Sequence, residues 1–261
     1  MFRIRSFCRI LVLACLAGTA GFPGSATAQD AKVPDAADLI DRYVDLLGGR
    51  DAVLAPRSVR IRSVVEMPGL GAEGEMEVIT SGQGEMVFEM TLPGLGEMRS
   101  GFTEGVGWAM DGMTGPRLME GAELDGVRDQ ANPLAQVRDA SLFDARETVE
   151  RTEMGGEPCY LVRFVWESGR ESFDCYHVET GLVVATIETS ESPTGSFEIT
   201  TLIEEYDEVE GILFPVRTAQ EVMGQRIHAR VVEVVFDDVE PSDLDPPAAV
   251  RTLIESRRSE R

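Results

Sequence analysis

The sequence predicts a mainly β protein with a few helices, an antiparallel meander of about eleven strands joined by an N-terminal helix and a central helical flap. Three observations carry this expectation. Short segments alternate apolar with polar residues, the pattern of an antiparallel sheet with one wet face. The links between them are short and rich in glycine, among them Gly-Gly, Ser-Gly-Arg and Val-Glu-Gly, so consecutive strands should pair as neighbours. Helical spacing of apolar residues stands out instead in the stretches 34–49 and 120–140.

In chain order, residues 1–28 read as an export signal. Arg3, Arg5 and Arg9 form a basic start, Ile10 to Ala17 an apolar core, and Ala26-Thr27-Ala28 a cleavage site. The rival is lipoprotein anchoring at Cys15, which leaves an apolar core of only Ile10 to Ala14; simple cleavage and a periplasmic location is the preferred reading. No later segment can span a bilayer. Removing the signal takes three arginines and no acids, so 21 basic residues stand against 46 acidic ones, a net charge of −25. That field repels nucleic acid and anionic lipid head groups, and it equally serves to keep an exported protein soluble. Residues 29–246 are expected to form one domain, and 247–261 a C-terminal tail whose short helix frays.

Pro34 to Gly49 reads as an amphipathic helix. Ala36, Leu39, Ile40, Tyr43, Val44 and Leu47 share one face, Asp35 offers an N-cap and Gly48-Gly49 a stop. The strands begin at Val59, with Val59, Ile61, Val65 and Met67 on alternate positions, followed by Met76 and Val78, then Met86, Phe88, Met90 and Leu92, then Met98 and Phe102, then Trp108 and Met110. Between the first two strands lies Gly69-x-Gly71-x-x-Gly74, the spacing of a phosphate-binding loop. A strand pattern follows it rather than a helix, so the glycines are expected to make a hairpin turn, echoed at Gly94 and Gly96.

Leu124, Val127, Ala131, Leu134 and Val137 recur at helical spacing, and Pro133 should split them into two short helices. This flap either closes the core or acts as a movable lid. Strands resume at 145–153, 157–166, 170–178, 181–190, 195–206, 211–222 and 225–237. Cys159 and Cys175 lie on the two arms of one hairpin with fifteen residues between them. In an exported protein such a pair is most simply a disulfide, worth roughly 3 kcal/mol, and the expected register sets the two cysteines directly opposite each other.

His177 and His228 are the only histidines, and neither lies in a ligand spacing. There is no G-x-S-x-G or S-x-x-K motif, and the carboxylates are spread along strand faces, so no catalytic set, metal or cofactor is expected. Methionine stands out instead. Eight of the eleven fall within the 53 residues from Met67 to Met119. Flexible thioethers suit either core filling or an adaptable apolar surface, and a copper(I) site would want Met-x-Met or His-Met groups that are missing.

The signal, the helix ending in Gly-Gly-Arg-Asp-Ala, the interrupted meander, ETGLVV and EEYDEVEGILFPVRT together make residues 35 to 246 similar to outer-membrane lipoprotein-sorting proteins, the LolA/LolB-like superfamily. The most telling stretch is Tyr206-Asp207-x-Val209-x-Gly211-Ile212-x-x-Pro215. Asp237 and Asp238 stand where an asparagine is expected and Leu244 where an aromatic is usual, which marks a divergent branch. The resemblance implies an open half-barrel whose apolar concave face, covered by helices, holds acyl chains.

The function expected is therefore an exported carrier or holder of lipid or lipoprotein acyl chains, without catalysis. Its ligand floor would be Met86, Phe88, Met90, Met98, Phe102, Trp108 and Met110, roofed by Leu124, Val127 and Leu134. The alternative is an envelope protein-binding or sensor module on the same fold. A lipid or acylated protein is the expected partner, an envelope protein the other candidate, nucleic acid is excluded, and the chain is expected to be a monomer.

Overall fold

The computed structural model describes residues 33–94, 96–192, 195–222 and 224–259; the segment read as an export signal lies outside them. Helix α1 (Ala36–Leu46) starts where expected, with the Asp35 carboxylate accepting from the Ala37 N–H at 2.9 Å. It buries Ala36, Leu39, Ile40, Tyr43 and Val44. A one-turn helix, α2 (Arg50–Leu54), follows and was not legible in the sequence.

The sheet has thirteen strands rather than eleven: β1 (Ser58–Met67), β2 (Ala72–Ser81), β3 (Met86–Leu92), β4 (Gly96–Thr103), β5 (Val106–Asp111), β6 (Gly115–Leu118), β7 (Phe143–Met154), β8 (Glu157–Trp166), β9 (Glu171–His177), β10 (Val183–Ser192), β11 (Gly195–Val209), β12 (Ile212–Val222) and β13 (Gln225–Phe236). Four-residue β6 carries Pro116 and is tolerated because it lies at an edge. Neighbouring pairs are antiparallel. The two edges, β6 and β7, do not meet, so the sheet is an open half-barrel.

Two meanders make up this sheet, β1–β6 and β7–β13, and they are sewn together where β1 pairs with β13, Val59 opposite Phe236. The chain passes from β6 at one edge to β7 at the other through the flap. That flap is helix α3 (Gly121–Ala131) and two 3-10 turns, Pro133–Val137 and Ala140–Leu142. Pro133 breaks it as expected, and the Asn132 side chain restarts it by accepting from the Leu134 N–H at 3.0 Å.

Gly71 closes the β1–β2 hairpin at φ +60°, a left-handed conformation that costs a glycine little, whereas Gly74 already lies inside β2, paired with Val65. The Cys159–Cys175 disulfide forms, but along a diagonal: Cys159 is opposite His177 and Cys175 opposite Leu161. A tight turn after Trp166 sets this register, and the pair still lies 5.4 Å apart at Cα.

Residues 248–259 are not a loose tail. They form helix α4 (Ala248–Ser259), which packs on the sheet's outer face with Val250 fully buried. Beneath it lie Ile79, Val87 and Trp108, with Leu244 alongside. Thr103 Oγ1 donates to the Leu244 carbonyl at 3.0 Å and accepts from the Trp108 indole N–H at 3.4 Å, so the buried polar atoms there are paired.

Candidate functional site

The inner face of the sheet is covered in two parts. Over β7–β12, α1 and the 3-10 turns seal a core of Phe143, Phe164, Trp166, Tyr176, Val162 and Val183. Phe143 packs at a tilt on Phe164 and edge-on against Trp166, with centroids 4.9 and 4.6 Å away, and Tyr43 meets Tyr176 edge-on at 5.7 Å. Within this apolar mass sits an ion pair: Arg138 Nε donates to Asp174 Oδ2 at 2.7 Å, and the Tyr176 hydroxyl donates to the same oxygen at 3.2 Å. The Asp174 side chain is 6% exposed.

Burial pushes the Tyr43 and Tyr176 hydroxyls up, so both stay protonated as donors. Burial alone would pull Arg138 down, but the opposing charge of Asp174 and its hydrogen bond outweigh it and hold the guanidinium above its ordinary value. This cluster fixes the flap to the sheet. Tyr206 adds a further tie by donating to the Val183 carbonyl at 2.8 Å, which explains the tyrosine in EEYDEVEG.

Over β2–β6 the covering is different. Register aligns Val78, Phe88, Ser100 and Ala109 in one inward row, and Met76, Met90, Met98 and Asp111 in the next. Helix α3 roofs this area through Leu124 and Val127, which pack on Met86, Phe102, Ala109 and Met119. It comes close because β5 has Gly107 there; a Cβ at that position would meet Leu124 Cδ1 at 2.8 Å and Val127 Cγ1 at 3.1 Å. A bidentate pair, Arg117 Nη1 and Nη2 on Glu123 at 2.7 and 2.6 Å, ties α3 to β6.

Between this floor, α3 and the β10–β11 hairpin there remains a cavity of about 580 Å³. Val78, Met86, Phe88, Met98, Val127 and Phe197 give it apolar walls, and Arg117, Glu123, Gln130 and Arg170 a polar rim. A second hollow of about 190 Å³ adjoins it, sharing Gln130 and Arg170 and lined by Phe143, Phe164 and Trp166.

The expected floor is thus only partly assembled here. Met86, Phe88, Met98, Met110 and Val127 line the larger cavity; Met90, Phe102, Leu124 and Leu134 do not. Leu124, on the underside of α3, packs with Phe102 of the floor instead. Trp108 is a correction: it projects to the outer face, 0% exposed, under α4, and Met110 packs against the same cluster while bordering the cavity. The Glu104-Gly105 turn sets Ser100 opposite Ala109 and Gly101 opposite Trp108, so Ala109 is the inward residue of β5. Sequence reasoning missed Arg170, Arg117, Met119 and Phe197.

His177 serves the β9–β10 turn, its Nδ1 accepting from the Glu179 and Thr180 N–H groups. Among the described residues no group of three or more His, Cys, Asp or Glu side chains is placed to hold a metal ion, and no helix is long and apolar enough to cross a membrane.

No protein-family model matches the chain, and no curated protein does. Among solved structures it is similar to a DUF1329 family protein from Desulfovibrio piger, with TM-score 0.53 and 10% identity over 82% of this chain and 98% of that one. A LolA superfamily protein from Nitrosomonas europaea gives TM-score 0.52 and 12% identity over 82% and 99%. The fold is LolA-like. In this LolA-like chain the cavity lies on the inner face of the half-barrel, beneath the flap.

Proposed function

We propose that the protein is a periplasmic carrier or holder of an apolar ligand, a lipid or the acyl chain of a modified protein, and that it binds rather than transforms it. The observation that carries this reading is the contrast within one face: the same sheet that keeps only about 190 Å³ beside the core under α1 leaves about 580 Å³ of apolar-walled space beneath α3. Cavities of several hundred cubic ångströms, lined by apolar groups with a few polar ones, are the usual form of small-molecule sites. Methionines at Met86 and Met98 let the wall conform to tails of varied shape. The LolA-like fold is consistent with lipoprotein or lipid cargo, and the basic, then apolar, first 28 residues with export.

The test is a titration with an apolar fluorescent probe, paired with circular dichroism, on Phe88→Asp, Met90→Asp and Phe164→Asp. Wild type should take up the probe. Phe88→Asp should keep its fold and lose uptake, because its carboxylate can reach cavity water, whereas Phe164→Asp should unfold the protein. Unfolding of Phe88→Asp together with no uptake by wild type would refute the carrier reading and favour the envelope protein-binding module.

A further inference from the structure

Arg170 closes the β8–β9 hairpin, and its side chain lines both inner-face hollows. The side chain is 10% exposed and lies over the Trp166 ring, 4.4 Å from its centroid. Its Nε and Nη2 are shielded from solvent and make no hydrogen bond. Asp129 of α3 supplies opposite charge at 3.5 Å from Nε, but out of line for a hydrogen bond, and the same carboxylate oxygen already accepts from Ser168 Oγ at 2.9 Å. Glu188, on the wall of the smaller hollow, is turned to Gln130 at 3.2 Å. A buried guanidinium with idle N–H groups is costly, and it is the planar fork that carboxylates and phosphates engage bidentately.

We propose that Arg170 is the head-group site for a single-chain anionic amphiphile, its carboxylate or phosphate on the guanidinium and its tail along Val78, Met86, Phe88 and Met98. This rests on the carrier reading above and adds the ligand's charge and its size. A cavity of about 580 Å³ falls within the range of one small ligand, so a single tail fits it. Gln130, which lines both hollows, is placed to contact the neutral part of the head. Stacking on Trp166 and the Asp129 charge keep the fork oriented before any ligand arrives.

The experiment is displacement of the apolar probe by three amphiphiles of equal chain length: laurate, lauroyl lysophosphatidate and the neutral monolaurin. Each is titrated against wild type, Arg170→Gln, Arg170→Lys and Asp129→Asn, with melting curves as the check on folding. Wild type should prefer at least one anionic ligand over monolaurin by about tenfold or more, the size of a charge-assisted hydrogen bond. Arg170→Gln should erase that preference and leave monolaurin binding unchanged. Arg170→Lys should keep part of it, and Asp129→Asn should strengthen anion binding by removing the competing carboxylate. Preference for laurate names a carboxylate head, and for lysophosphatidate a phosphate head. Equal binding of charged and neutral ligands, unaltered in Arg170→Gln, would overturn the head-group assignment while leaving the carrier reading in place. Failure of all three to displace the probe from wild type would overturn the assignment; failure of the probe itself to bind would sink the carrier reading.

Discussion

The two parts of the inner face share one sheet and are roofed by different helices, yet one keeps only a hollow of about 190 Å³ and the other a cavity of about 580 Å³. Under α1 the filling is aromatic and β-branched, Phe143, Phe164, Tyr176, Val162 and Val183, side chains with few rotamers that interlock. Under α3 the facing residues are methionines, one phenylalanine, Phe102, an alanine and a glycine, and the helix itself buries only Val127 and Ala131. A five-residue buried stripe on α1 clamps its helix down, while α3 is held by Leu124, Val127 and the Arg117–Glu123 pair. The lesson is that a covered sheet face keeps open space where its roof is weakly amphipathic and its floor is soft.

The largest expected effect sharpens this contrast through its two ion pairs. Asp174→Asn strands Arg138 in the closed part and should cost about 3–5 kcal/mol in urea unfolding. Glu123→Gln in the open part, where the carboxylate is 17% exposed against 6% for Asp174, should cost less, about 1 kcal/mol. Equal losses would mean that the two parts do not differ in how tightly they are packed.

Next comes the disulfide, which lies on the opposite face from both hollows, among Ala185, Leu161 and Leu202. Replacing Cys159 and Cys175 together by alanine should lower stability by about 3 kcal/mol and leave probe affinity unchanged. A change in affinity at equal folded fraction would show that the outer face controls the cavity.

Gly107→Ala acts on the roof alone. The new methyl must push Leu124 and Val127 outward, for about 1–3 kcal/mol of overpacking, and stopped-flow uptake of the probe should become faster. Unchanged kinetics would mean that α3 does not gate entry.

The smallest effect is acid sensitivity in the closed part. Hydrogen bonds from Ser141, helped by Arg50, hold the Asp139 carboxyl down at about 2. Because the folded value is depressed, its stabilisation is complete above the ordinary carboxylate range near pH 4 and disappears as pH falls through about 2. Wild type and Asp139→Asn should therefore differ in stability by a constant amount above pH 5 and converge only as pH drops below about 2. A gap that persists in acid would assign the effect to the lost cap geometry.

Much of this was legible in residues. Asp35 with the 3,4-spaced stripe fixed α1, Pro133 the break in the flap, and the turn glycines nearly every hairpin. Trp108 was misplaced because alternation was read as one dry face and one wet one. The outer face is also dry beneath α4, so apolar residues on β5 face both ways, and only the register at Ser100 and Ala109 separates them. Arg170 looked like part of a Ser-Gly-Arg turn. Its meaning comes from Trp166, Asp129 and the flap, which meet only after the chain crosses from edge to edge.

The β1–β13 seam has a consequence for how the molecule is made. Every other strand pairing joins neighbours in sequence, so each meander can form by local zippering, whereas Val59 must find Phe236 across almost the whole domain. Contacts between such distant partners carry the largest loop-closure entropy and set the slow end of folding rates. Emergence of β13 is thus the event that completes the sheet, and a growing chain holds β1 as an unpaired, apolar edge until then. A chaperone that shields that edge during synthesis would guard the one pairing that the growing chain completes last.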